Sequence, residues 1–172
     1  MHFTARILLL FSAAASIKAS WTVPADQPDG VYSVSVDEAG IAHHELLEPP
    51  TVERRAIVKS AKFSPKPALF SRADITINLN HGDTDAVVNN LKSQCGSGGV
   101  MGAHLSYYAK SGQALAYFCN HYSHSNTCYT WEVQDNLVGL GSQVCGSYAA
   151  SAVYLHGKEG TYGQDVVTAR FC

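Results

Sequence analysis

The chain has 172 residues, a formal net charge of −2, 46% hydrophobic residues and only 15% charged ones. Such a balance excludes an ordinary nucleic-acid binder, whose affinity rests on clustered cations, and strong attraction to an anionic membrane surface. Past the first few residues no run approaches the roughly 20 apolar residues a membrane span needs, so no stable membrane insertion is expected.

Residues 1–20 read as a signal peptide. His2 and Arg6 give a basic start, residues 7–15 an apolar run, and residues 16–20 the small side chains around a cut after Ala19 or Ser20. Residues 21–55 set seven acids against Arg54 and Arg55, a formal charge of −5, and carry Pro24, Pro28, Pro49 and Pro50. A proline-rich acidic stretch with few large apolar residues buries too little surface to offset its ordering entropy, which predicts a flexible acidic pro-segment. It ends in the Arg54–Arg55 pair, the kind of site a kexin-type protease cuts, so the mature chain is expected to start at Ala56. Residues 56–72, with Pro65 and Pro67, read as a linker that a further cut after Arg72 would remove. A merely solvated arginine pair leaves unexplained why the acidic leader, the pair and a change of composition coincide.

The 117 residues that follow Arg55 suffice for one modest core. All five cysteines, Cys95, Cys119, Cys128, Cys145 and Cys172, lie there. In a secreted chain of this size they are expected to form two disulfides and leave one thiol, with a pairing that spacing does not choose. No basic group is identifiable beside any of them that would activate a nucleophile.

Residues 74–80 alternate, with Ile75, Ile77 and Leu79 on one face, as a half-buried strand does. After His81 and Gly82, Asp83 reads as an N-cap for a helix over 84–95 carrying Val88, Leu91 and Cys95, closed by Gly96. Residues 103–110 and 113–120 read as a hairpin turning at Ser111 and Gly112. Thr130 then caps a second helix with a stripe of Val133, Leu137, Leu140 and Val144, weakened by Gly139 and Gly141 and ended by Gly146. Strands over 148–155 and 164–171 finish the chain around a turn at 156–160. This order predicts an α+β fold over residues 73–172: a split β-α-β, ferredoxin-like sandwich with two helices on one mainly antiparallel sheet.

Several residue groups invite a chemical reading. His81, Asp83 and Asp85 could bind a metal or exchange protons, yet carboxylates at a helix start are usually a cap and a dipole partner. The loop from Cys119 to Cys128, with His121 and His124, holds zinc-binding residue types at a spacing that matches no standard finger; a polar loop, stapled by Cys119 and Cys128, is the simpler reading. No nucleophile elbow is present. His104, His121, Glu132 and Arg170 can be arranged on paper as the acid, base and phosphate clamp of a small secreted ribonuclease. We expect no catalytic residues, no metal and no cofactor. Tyr107, Tyr117 and Phe118 fit a core or cross-strand pairs, while Tyr122 and Tyr129, flanking the polar loop, are the expected partner contacts.

The segment from Cys128 to Cys172 carries a helix leading into Val144-Cys145-Gly146-Ser147, a glycine-containing turn and a last strand ending on cysteine. It resembles the C-terminal half of virally encoded smut-fungus killer toxins, and residues 113–117 are similar to the strand before that helix. Together with the leaders, the pattern resembles the small secreted effectors of plant-associated fungi. The resemblance implies a killer-toxin-like fold and an extracellular protein, with uptake by host cells an open route, that acts on a host or competitor protein or cell-surface component. Killer toxins are richer in cysteine and basic, and their proposed action on calcium channels is linked to exposed cations; this near-neutral chain departs from that. An extracellular cell-wall protein is the other class, but it would carry long repeats or Ser/Thr tracts that are absent here.

Overall fold

The computed structural model describes residues 20–47, 67–70 and 77–172. The expected signal peptide and the Arg54–Arg55 pair lie outside them. In chain order the elements are β1 (Gly30–Val36), β2 (Ala42–Leu46), β3 (Pro67–Phe70), α1 (His81–Cys95), β4 (Gly99–Met101), β5 (Ser106–Ser111), β6 (Ala114–Asn120) and β7 (Asn126–Cys128). There follow α2 (Thr130–Val133), a π-helical segment Gln134–Gly141, α3 (Ser142–Cys145), β8 (Ser151–Leu155) and β9 (Gly160–Val166).

Seven strands form one antiparallel sheet in the order β2-β1-β5-β6-β9-β8-β3, and β4 pairs with β7 beside it. The fold is α+β with its helices on one face of the sheet. Strands β6 and β8 run parallel with β9 inserted between them, and the helical stretch connects the two, which is the split β-α-β unit.

Strand β6 is buried along its whole length. Because alternate side chains point to opposite faces, it feeds two cores. Ala114, Ala116 and Phe118 meet Val87, Val88 and Leu91 of α1, Val133 and Leu137 of the second helical stretch, and Tyr162 of β9. On the other face Leu115, Tyr117 and Cys119 meet Trp21, Tyr32, Val34, Tyr108 and Phe171. Gly163 is dictated by this second core, since a Cβ there would lie 2.1 Å from the Tyr117 ring.

The second core corrects the flexible pro-segment in its described part. Residues 20–47 are folded: Tyr32 and Val34 of β1 are buried, β1 pairs with β5 over five positions, and Trp21 forms an antiparallel bridge with Phe171. The alternation of Tyr32, Val34 and Val36 is enough for a strand that needs only one buried face, and the acids sit at the ends. Asp37 accepts the backbone N–H groups of Ala39 and Ile41 and so closes the β1–β2 turn. Most of the strand expected at 74–80 falls outside the described residues, and its end pairs with residues 148–150 through Leu79 N–H to Tyr148 and Ala150 N–H to Ile77. The last strand expected at 164–171 begins earlier, at Gly160, and ends at Val166. Beyond it the tail turns back, and Phe171 packs its ring 4.1 Å from that of Trp21.

Both helices also differ from expectation. Asn80, not Asp83, caps α1 by accepting the Asp83 N–H at 3.0 Å, while Asp83 accepts the N–H of Gln113 in the β5–β6 turn. Thr130 is no cap either; its hydroxyl donates to the Lys92 carbonyl. The second helix is not one regular α-helix, because its middle widens into the π segment. Gly141 there passes so close to β8 that a Cβ would come 2.9 Å from the Ser151 hydroxyl. The wider turn shifts the helical phase. Val133 and Leu137 stay buried, whereas Val144, expected in the same stripe, is 58% exposed.

Cys95 pairs with Cys128 and Cys119 with Cys172, and Cys145 is a free, half-buried thiol. The expected Cys119–Cys128 staple is therefore absent. Each cysteine instead ties its strand to a distant element, across 33 and 53 residues of chain. Closing loops of that length stabilises by about 4 kcal/mol each in a chain-entropy estimate. Alkylation of the denatured, unreduced monomer is expected to label Cys145 and no other cysteine, and reductant to lower the melting temperature. Five reactive thiols with unchanged melting would overturn the pairing.

Candidate functional site

Asn126, Thr127 and Cys128 bring the chain along β4, and the Cys95–Cys128 disulfide fixes the end of that strand against the end of α1. Tyr129 follows directly in an extended conformation, φ −131° and ψ 145°. Thr130 then binds α1 twice, through its N–H to the Gly96 carbonyl and its hydroxyl to the Lys92 carbonyl. This brace presents Tyr129 and Trp131 with rings 5.8 Å apart and nearly parallel, at 24°. Trp131 is 37% exposed, and Val100 on β4 adds a second exposed apolar side chain at 64%.

Beneath the rings lies a buried charge pair. Glu132 is almost fully buried, and its Oε2 accepts from the Lys158 ammonium and, at 2.6 Å, from the Tyr162 hydroxyl. The Lys158 Nζ stands 5.0 Å from the Tyr129 ring centre and 5.5 Å from that of Phe118. Burial pulls the Lys158 pKa below the ordinary lysine value, against the upward pull of the Glu132 carboxylate. Burial first, and then Glu132, hold the Tyr162 hydroxyl far above the ordinary tyrosine value, so it remains a proton donor. The cation lies between two aromatic faces in low dielectric, where a cation–π contact is strongest. Tyr129 is thus seated by a charge whose position is set by Glu132, and Glu132 by Tyr162.

The polar loop between Cys119 and Cys128 is organised by asparagines. The Asn120 amide donates to the Gly102 and His124 carbonyls and its oxygen accepts the Tyr122 N–H, while the Asn126 amide donates to the Lys158 carbonyl. Both cysteines of the loop are spent in disulfides, and among the described residues no three metal-binding side chains converge. Tyr122 stacks on His124 at 4.1 Å and donates its hydroxyl to the Gly157 carbonyl. Both contacts fix the ring of Tyr122 on the loop.

The remaining candidates are dispersed. His81 stacks on Tyr148 at 3.9 Å, Asp83 accepts from Gln113, and Asp85 borders a shallow groove between α1 and the π segment. His104 is exposed, and its N–H binds the Tyr122 carbonyl. The His121 ring lies 2.8 Å from the Thr161 hydroxyl, whereas Glu132 binds Tyr162. Thr161 and Tyr162 are neighbours on β9 and point to opposite faces, so the sheet separates that histidine from that acid. Arg170 lies on the Trp21 side, lining an open cleft with His44. Trp131 is one of several aromatics that could build a recognition surface, and local sequence favours Tyr122 and Tyr129 over it; Lys158 carries no such signal. Trp131 had only its aromatic type to mark it, and nothing local links Lys158 to Glu132, 26 residues away.

Among the described residues no helix is long and apolar enough to cross a membrane. Comparison with protein families, curated proteins and solved structures yields no match.

Because removing one partner strands a buried charge, Glu132→Gln and Lys158→Met are each expected to destabilise the fold by about 3 kcal/mol, and the double variant by less than the sum. Tyr162→Phe should cost about 2 kcal/mol, the loss of a hydrogen bond to a charged acceptor. Denaturant unfolding of the four proteins measures this, and additive losses would show the pair to be uncoupled.

Proposed function

We propose that the chain is a secreted, proteolytically matured binding protein, of the kind found among fungal effectors and killer toxins, that engages a host or competitor molecule through the Tyr129–Trp131 surface without catalysis. The observation that carries this reading is the parallel ring pair, exposed Trp131 against half-buried Tyr129, held over a buried ion pair. Interface energy concentrates in aromatic anchors whose ordering cost has been met before the partner arrives. Here the Cys95–Cys128 bridge, the two Thr130 hydrogen bonds and Lys158 leave the rings little freedom to lose. Disulfide bonds support an oxidising, extracellular setting, and the signal-like residues 1–20 and the dibasic pair supply the route. The dispersion of His104, His121, Glu132 and Arg170 favours binding over ribonuclease chemistry, which needs acid, base and clamp around one substrate atom.

Two measurements test the reading. Protein secreted from a fungal host is expected to contain a chain beginning at Ala56, or at Ala73 after a further cut, and Arg55→Ala to abolish it. An N-terminus near Trp21 alone, indifferent to Arg55→Ala, removes the maturation step.

For the surface, Trp131→Ala and Tyr129→Ala are expected to weaken partner capture by about 2 kcal/mol or more, roughly thirtyfold, at unchanged secondary structure. His121→Ala and His104→Ala should leave activity within a few-fold. A loss of about 10² to 10⁴ from a histidine change in folded protein, with measurable RNA turnover, would instead establish an enzyme.

A further inference from the structure

We propose that residues 20–47 are a self-seating part of the sheet: severed from the rest of the chain, this segment stays docked on β5 and on the aromatic floor of Tyr108, Tyr117 and Phe171, so that maturation yields two chains held without a covalent bond. Each contact needed for independent docking is present. Strand β1 lies along β5 in register from Gly30 opposite Lys110 to Val34 opposite Ser106. The Tyr32 ring stacks on Tyr108 with centres 5.0 Å apart, and Trp21 packs on Phe171. Trp21 and Phe171 also exchange both backbone N–H···O bonds. At the far end, Asp29 binds the Lys110 ammonium at 2.7 Å and the Gly112 N–H at 3.0 Å, clamping the β5–β6 turn. Strand β2 completes the unit: His44 lies 3.2 Å from the Tyr108 hydroxyl through its Nδ1.

The seat is equally specific from the other side. Tyr108 is fully buried and Tyr117 and Phe171 nearly so, and with residues 20–47 gone they would face water beside the unpaired edge of β5. Open apolar strand edges pair with other strands, so an empty seat is a liability for a secreted monomer. A strand with aromatic and β-branched side chains at alternate positions suits that edge, and Tyr32, Val34 and Val36 supply this pattern. Every cysteine lies at Cys95 or beyond, so no disulfide can tether the segment.

The inference rests on the maturation reading only for its occasion in the cell, and a cut made in vitro tests the docking separately. The full chain, produced in a host without kexin-type proteases and oxidised, is cut with purified kexin-type protease and passed over a sizing column at micromolar concentration. A single peak is expected to hold two N-termini in equal amount, one of them Ala56, that separate only in denaturant. If the arginine pair resists the protease, a thrombin sequence inserted after Arg55 supplies the same cut. Trp21→Ala and Tyr32→Ala should each hasten release at least about tenfold, as loss of a buried aromatic anchor does, whereas Glu38→Ala at the exposed β1–β2 turn should not. Release of the peptide from the wild-type cut protein in native buffer overturns the proposal, whatever becomes of the remainder. An uncut protein in fungal medium would refute the maturation step while leaving the docking result intact.

Discussion

Strand β6 has no solvent face, and the arrangement of the molecule follows from that. A central strand buried on both sides requires two layers of cover, and the chain supplies them by different means. One layer is helical: α1 and the second helical stretch pack on Phe118, Ala116 and Ala114. The other is made of the two ends of the described chain, with Trp21 and Phe171 closing over Tyr117, Leu115 and Tyr108. The disulfides follow the same division. Cys95–Cys128 ties α1 to β7 on the helical side, and Cys119–Cys172 ties β6 to the tail on the other. Each cross-link therefore secures one cover layer.

The helical layer also generates the candidate surface. The connection out of β7 must turn straight into α2 because Cys128 is bonded to the end of α1, and this turn sets half-buried Tyr129 beside exposed Trp131. Glu132, next in sequence, is driven inward by the helix and would be an uncompensated buried charge without Lys158 and Tyr162. A buried ion pair contributes little net stability. Its consequence here is geometric, since it fixes the cation between the rings of Phe118 and Tyr129. Glu132 is thus held by Lys158 and Tyr162, and the same cation supports the ring of Tyr129 in the candidate surface.

The second layer gives the acidic N-terminal stretch a structural role. A segment that buries Trp21, Tyr32 and Val34 and places Asp29 on Lys110 is part of the sheet and not a spacer. Asp29 and Asp37 flank β1 and accept backbone N–H groups, and Glu38 and Glu45 point to solvent. That is how a stretch of charge −5 joins a core: acidity and burial occupy different positions along it.

Local patterns determined much of this by themselves. The α1 helix, the β5–β6 hairpin and the strand at β8 follow from periodicity and turn residues, and the α+β class follows from their order. The cysteine count required one free thiol. Tyr122 and Tyr129 are marked alike by flanking a polar loop, and nothing local chooses between them. Where the residues that decide an outcome are far apart in the chain, only the tertiary structure decided it. Net charge and prolines point residues 21–55 toward disorder, and Tyr32, Val34 and Val36 form a strand because β5 supplies a partner edge. The π segment answers to the approach of Gly141 to Ser151, the placing of the Tyr122 ring to the Gly157 carbonyl, and the choice of Cys145 as the free thiol to which strand ends meet. Glu132 and Lys158 are ordinary surface types in sequence, and they become a buried pair because β9 carries Tyr162 beneath the start of α2. Short-range propensity chooses elements, whereas desolvation acts on whatever the assembled elements enclose.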